Sequence, residues 1–235
     1  MRSQRRLVSP IESGVVILPS LYTGLLANYK LDETSGTTAI DETGNHNGII
    51  NGTPTLGVPA NLGTGYSLNG NTANFVDLGT RNLIGGRSAF TIAGWSKCLS
   101  FDIQGNLYGA WTGTRICSFS NNGFSTRWVN YIYIGGVMKG GAFNFTEGQF
   151  NAGSYQLMIS TYDGVTFRTF VNNNEAAESF PATGSVQVGS GENESIGRGF
   201  TSGQNRTISS LQIWDRALNA DERANLFNGG MGQIL

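Results

Sequence analysis

The sequence predicts an all-β protein, a two-sheet antiparallel jelly-roll sandwich closed by one short C-terminal helix. Two features of the composition carry this. Glycine supplies 34 of the 235 residues and charged residues only 13%. Short β-branched and aromatic runs are split by Gly, Asn, Ser and Thr, the pattern of many strands joined by tight turns. A third observation is that apolar residues fall on both faces of some runs. Two layers closed over a shared core hide such faces, which a single sheet would expose.

The elements follow in order. Residues 1–22 differ from the rest: Arg2, Arg5 and Arg6 open the segment, Pro10 and Pro19 interrupt it, and Val15, Val16, Ile17 and Leu18 form an apolar stretch able to add as an edge strand. This segment is expected to be an arm that anchors the body, residues 23–235, to another surface. From Leu25 the strands begin with LLANYKLDE, followed by TSGTTAIDETGNHNGIINGTPT, where Gly, Asn and Asp supply turn conformations. GYSLNG and NFVDLG are two short strands around Asn69-Gly70, a dipeptide that closes hairpins.

In SAFTIAGWSK, Ala89, Thr91, Ala93 and Trp95 face one way, and Phe90 and Ile92 the other. Both sets are partly apolar, which places this strand centrally between layers. RICSFSNN, RWVNYIYIGG and GAFNFTEGQF read as strands, with Gly135-Gly136 and Gly140-Gly141 as turns. YQLMISTY and VTFRTFV form a hairpin through Asp163-Gly164, expected as a type I′ turn. After the closing strand ISSLQIWD, Asn219 caps a helix, Glu222 completes its capping box and Gly229 can end it.

The net charge of −1 provides no positive field to gather phosphates, which argues against nucleic acid as a partner. No window reaches the roughly 18 apolar residues of a membrane span. Pro10, Glu12, Ser13 and Gly14 break the apolar core that an export signal needs. Cys98 and Cys117 read as free thiols, because secreted domains usually carry a larger disulfide framework.

Five segments, YKLDETSGTTAIDETGNHNGIINGT, GYSLNGNTANFVDLG, FTIAGWSK, STYDGVTFRTFVNN and ISSLQIWDRALNADERANLF, occur in that order over residues 25–228. Together they resemble the landmarks of laminin-G-like, concanavalin A-like jelly-roll domains. The resemblance implies a sandwich used mostly to bind glycans or proteins, often as an accessory module, in some members with a calcium ion. One departure is Asn172-Asn173-Asn174, where many relatives have glycine; asparagine also tolerates positive φ, so the turn can survive.

Relatives with glucanase activity carry two glutamates flanking an aspartate on one strand, and no such E-x-D-x-x-E run is present. Asp32-Glu33 and Asp41-Glu42 lie in the turn-rich passage, and Glu192 and Glu194 in a glycine-rich one. Retaining hydrolysis needs two carboxyls about 5 Å apart on one face. The single histidine, His46, sits in the turn GNHNG, where a solvent-facing or turn-stabilising role outweighs a catalytic triad. No catalytic residue is assigned, and the chain reads as a non-enzyme.

Asp41, Asn45 and Asp215 are the candidate calcium ligands, oxygen donors suited to a hard cation; the competing reading has Asp41 capping its own turn. For glycan binding, Trp111, Trp128, Tyr131 and Tyr133 offer aromatic faces beside Arg127 and Asn130, and the same run also reads as core strand. The leading expectation is a structural or decoration protein of a tailed-phage virion. Its arm residues Arg2, Arg5, Arg6, Val15, Val16 and Ile17 would hold it to capsid or tail proteins, with glycan adhesion secondary. The alternatives are a free extracellular carbohydrate-binding lectin module and a glycan-cleaving enzyme with an unusual site.

Overall fold

Strands with apolar side chains on both faces need cover on both sides, and the architecture is organised around that need. The computed structural model describes residues 16–98, 106–110, 116–120, 127–144, 153–189, 191, 193–199 and 205–235. Its strands are β1 Leu25–Tyr29, β2 Thr38–Ala39, β3 Gly48–Asn51, β4 Thr55–Ala60, β5 Gly63–Ser67, β6 Phe75–Gly79, β7 Phe90–Cys98, β8 Tyr108–Ala110 and β9 Ile116–Ser120. They continue as β10 Arg127–Ile134, β11 Val137–Asn144, β12 Gln156–Tyr162, β13 Thr166–Val171, β14 Asn174–Glu175, β15 Phe180–Pro181, β16 Glu194–Ile196 and β17 Arg206–Trp214, followed by helix α1, Ala220–Phe227.

The first sheet runs β14-β13-β12-β7-β17-β5-β4, with β1 also beside β17 and β15 beside β13. The second runs β11-β10-β9-β8-β16-β6-β3-β2. Between them Phe90, Ile92, Phe167 and Ile213 of the first sheet meet Val76, Tyr108, Ile132 and Phe143 of the second. The first sheet's other face carries a separate cluster, Ala93, Trp95, Leu157, Ile159, Phe170 and Trp214, packed under Leu21, Leu218 and Leu226. Every residue of β12 and β17 is consequently buried. The alternation expected for β7 is observed: Phe90 and Ile92 enter the inter-sheet core, and Ala93 and Trp95 the outer one. Cys98, at the end of β7, is a buried free thiol, while the Cys117 side chain lies outside the described atoms.

The cover over the outer cluster is held by a few directed polar bonds. Trp214 Nε1 donates to the Leu21 carbonyl at 2.7 Å. Arg216 donates to the carbonyls of Ser20 at 2.5 Å and Thr23 at 2.8 Å, and forks onto both Glu222 oxygens at 2.8 Å. The Asn225 carboxamide donates to Val16 O and accepts from Leu18 N–H, each at 3.1 Å. Residues 16–22 are therefore part of the folded body, with Leu21 fully buried, and the expected arm boundary at 22 falls inside a docked segment. Val16 is exposed and Ile17 half-buried against the outer cluster. Arg2, Arg5, Arg6 and Val15 lie outside the described residues.

Several turn expectations hold. Asn172 and Asn173 take φ of 50° and 64° and close β13 onto β14 as a two-residue turn, so asparagine does replace glycine there. Gly135 and Gly136 close β10 onto β11 with φ of 58° and 77°. The capping box of α1 forms with both of its bonds, but Asn228 turns left-handed first, at φ 45°, ahead of Gly229.

Three expectations are corrected. Asn69-Gly70 has positive φ at both residues, yet β5 and β6 belong to different sheets. The connection turns a corner of the sandwich, where the Asn74 carboxamide ties Leu68 O to Thr53 N–H. The hairpin β12–β13 forms, but Asp163 is absent from the positive-φ residues. Its Oδ1 accepts the N–H groups of Val165 and Thr166 instead, so a side chain, rather than a type I′ backbone, organises the turn. Gly140-Gly141 is no turn and lies within β11. A Cβ on Gly140 would sit 2.0 Å from the Asn130 carbonyl oxygen, so glycine serves close backbone approach. Among the described residues no helix is long and apolar enough to cross a membrane.

The Arg216–Glu222 fork has a consequence for acid stability. Burial alone would raise the Glu222 carboxyl, but the guanidinium and the Asn219 N–H outweigh it and bring the pKa to about 2. A depressed folded-state pKa gives stability that is complete above the ordinary value of 4.5 and is lost as pH falls towards about 2. In urea unfolding at a series of pH values, Glu222→Gln should lower stability at neutral pH and flatten its decline across that window. An unchanged acid slope would contradict this account of the fork.

Candidate functional site

The apolar cluster on the outer face of the first sheet is covered, and the aromatic run singled out in the sequence lies on β10 of the second sheet. On β10, Ile132 and Ile134 point into the core. Asn130 also points inward, fully buried, and its Nδ2 donates across the sandwich to Ser160 Oγ at 3.1 Å and Thr169 Oγ1 at 2.7 Å. Alternation then turns Tyr131 and Tyr133 outward, each half-buried, about 7 Å apart along the strand. Gly140 lies opposite Tyr131 and Met138 opposite Tyr133. Because no side chain fits at Gly140, the Tyr131 ring stands beside bare backbone.

Two of the four expected aromatic contacts cannot be placed. Trp111 lies outside the described residues; Trp128 pairs with Phe143 in the β10–β11 ladder, but its side chain is outside the described atoms. The structure thus brings together Tyr131 and Tyr133 of that set. It adds Gly140, a position the sequence suggested was a turn.

The proposed calcium ligands are not assembled as a cation site. Asp41 is buried, and its Oδ1 accepts the N–H groups of Asn28 at 2.8 Å and Thr43 at 3.1 Å. Its Oδ2 accepts those of Asn45 at 3.3 Å and His46 at 3.0 Å, together with the Thr43 hydroxyl at 2.5 Å. Hydrogen-bond donors occupy the positions a cation would need. The Asn45 carboxamide turns back to Thr43 O, and Asp215 pairs with Arg87 at 3.5 Å. Among the described residues no group of three or more His, Cys, Asp or Glu could hold a metal ion. His46 belongs to the same turn: its carbonyl accepts the Tyr29 hydroxyl, and burial pushes its imidazole below the ordinary pKa.

Other described carboxylates are also committed to structural partners. Glu33 accepts from Ile40 N–H at 2.6 Å and from the Tyr66 hydroxyl. Asp77 accepts from Gly79 N–H at 2.8 Å and Asn193 Nδ2 at 2.9 Å. Asp163 and Glu175 flank Arg168 in a recess of about 180 Å³, at 2.5 Å and 3.4 Å. Burial alone would raise Asp163, but Arg168 and two backbone N–H groups bring it below its ordinary value, so it is no proton donor at neutral pH. Glu194 begins strand β16 rather than a loop; burial pushes its pKa up, and at 2% exposure it accepts the Leu83 N–H and faces the Tyr108 hydroxyl in the interior.

A larger recess, of about 450 Å³, opens where β1 meets the 41–46 turn. It is lined by Tyr22, Leu25, Lys30, Glu42, Thr43 and Leu235 among others. These residues are scattered along the chain, and no spacing in the sequence linked them.

A family model described as the concanavalin A-like lectin/glucanases superfamily matches residues 69–222. The chain belongs to this superfamily. Its members' shared fold recurs in solved structures. Domain 4 of the extracellular arabinanase AbnA from Geobacillus stearothermophilus, solved with arabinotriose, superposes with a TM-score of 0.62 at 16% identity, over 89% of this chain and 98% of that one. The binding domain of Paraclostridial Mosquitocidal Protein 1 gives 0.69 at 16% identity, over 88% and 52%. The Trypanosoma rangeli sialidase gives 0.61 at 14% identity, over 89% and 33%. This superfamily chain thus spans about half of the toxin structure and a third of the sialidase. At these identities the likenesses establish the lectin-like jelly-roll fold. No curated protein matches the sequence. The superfamily name covers both lectins and glucanases, and the structural neighbours include both enzymes and binding domains.

The Asp41 turn gives a direct test of the calcium expectation. Asp41→Ala should destabilise the domain by about 3 kcal/mol, because several buried N–H groups lose their acceptor. Thermal unfolding of the native protein should be the same in excess calcium and in chelator; a calcium-dependent rise in Tm would reverse this reading of the turn.

Proposed function

We propose that this chain is a non-catalytic, glycan-binding module. The observation that carries the reading is the pair Tyr131 and Tyr133, turned away from the inter-sheet core on β10 and half-buried, with bare backbone at Gly140 opposite Tyr131. Aromatic rings suit the apolar C–H faces of sugars, and a sheet holds them at fixed spacing without a loop to order. The commitment of Asp41, Asp163, Glu175, Glu194 and Glu222 to structural partners supports binding without hydrolysis. The arabinotriose complex of the AbnA domain offers an arabino-oligosaccharide as a first ligand to try.

On a glycan array, and by calorimetry with the best hit, the protein should bind an oligosaccharide without releasing new reducing ends. The double substitution Tyr131→Ala, Tyr133→Ala should weaken binding tenfold or more with the fold retained. Turnover abolished by removing one carboxylate would make the protein an enzyme instead.

A second element of the proposal is its setting, a tailed-phage virion with capsid or tail proteins as partners. The Asn225 clamp on Val16 and Leu18 fixes the point beside α1 from which the chain continues towards its N-terminus. Arg2, Arg5, Arg6 and Val15 would then form the tether. Mass spectrometry of purified particles should find the protein in stoichiometric amounts. Recovery only as free protein in the medium would favour a stand-alone extracellular lectin.

A further inference from the structure

We propose that the recess at the β1 rim is a second saccharide site, which takes the end of a neutral oligosaccharide between the Tyr22 ring and the Lys30–Glu42 pair. The inference rests on the glycan-binding reading above and adds a separate site to it. The recess measures about 450 Å³, within the range of roughly 300–1,000 Å³ typical of small-ligand sites.

Tyr22 is 54% exposed and lines the recess, so its ring is available to a ligand there. Its backbone is fixed from both sides. Trp214 holds the Leu21 carbonyl, and Arg216 holds those of Ser20 and Thr23, while the neighbouring Leu21 side chain is fully buried. Only the ring's own torsions remain to be ordered on binding, which makes it a low-entropy anchor.

The floor is equally fixed. Asn28 is buried, its carboxamide donating to Leu235 O at 2.9 Å and accepting from Gln212 Nε2 at 3.2 Å. The wall is the 41–46 turn, whose conformation Asp41 sets by gathering the N–H groups of Thr43, Asn45 and His46. That turn places the Glu42 carboxylate 3.4 Å from Lys30 Nζ, with both side chains partly exposed at the rim.

An aromatic face beside a carboxylate–ammonium pair matches the two sides of a sugar. The ring packs against C–H groups, the carboxylate accepts from hydroxyls, and the ammonium donates to hydroxyl oxygens. The pair has no net charge, so it offers no Coulombic gain to the carboxylates of an acidic sugar. Those carboxylates would lose hydration on entry while Lys30 is already engaged by Glu42, whereas a neutral sugar carries no such cost.

The test is a titration of the ¹⁵N-labelled full chain with arabinotriose, cellotriose and trigalacturonic acid, followed by amide chemical shifts. At least one neutral trisaccharide should move the amides of residues 22, 30, 42 and 43. Tyr22→Ala and Glu42→Gln should each weaken that interaction tenfold or more with Tm unchanged, and trigalacturonic acid should bind at least tenfold more weakly. Neutral-sugar shifts confined to residues 129–142, with Tyr22→Ala binding as tightly as the native chain, would overturn this site and leave the module reading standing. Binding of trigalacturonic acid alone would likewise overturn it. Failure of all three probes, together with a blank glycan array, would overturn the module reading itself.

Discussion

A sheet whose central strands are apolar on both faces cannot stop at one layer of cover, and this constraint governs the rest of the molecule. The strands β7, β12 and β17 bury one set of side chains between the sheets and another, including Trp95, Leu157 and Trp214, on the far side. Burying each large side chain stabilises the fold by roughly 1.5–3 kcal/mol, so the outer cluster is too valuable to leave wet. Its cover comes from residues 16–22 and α1, far apart in sequence and joined mainly through Arg216. A flexible Lys at that position would lack the planar fork that reaches Glu222 with two bonds while also meeting two carbonyls.

The same constraint allocates function. With the apolar cluster of the first sheet covered on both faces, the two proposed contact surfaces lie on the second sheet and at a seam where the cover meets the body. The Tyr131–Tyr133 face and the Tyr22 recess occupy those two kinds of place. Both depend on buried polar groups. Asn130 joins the two sheets from beneath the tyrosines, and Asp41 shapes the turn that walls the recess. A satisfied buried polar group adds little net stability, but its loss leaves partners unpaired, so it holds one geometry against alternatives.

The candidate site was legible only in part. The sequence named Tyr131 and Tyr133 but left open whether their run is core strand; only the packed β10, with Ile132 and Ile134 inward, turns them out. Glycine proved ambiguous, since it serves both turns and close backbone approach. Gly135-Gly136 is a turn, whereas Gly140-Gly141 lies in mid-strand and only the proximity of Asn130 O explains it. Asp41 carried a similar ambiguity, since a carboxylate in a turn suits a cation or its own backbone equally well by composition. The direction of the surrounding N–H groups separates the two.

By itself the sequence determined the class of fold, the central place of β7, the capping box of α1 and the asparagine turn at 172–173. Each follows from side-chain period or from the angles that a few neighbouring residues tolerate. Tertiary structure alone decided that β5 and β6 part into different sheets, that residues 16–22 lie on the body, and that Tyr22, Lys30 and Glu42 share one recess. Those outcomes depend on which distant surfaces must be buried together, and burial is a property of the packed whole that no local window contains.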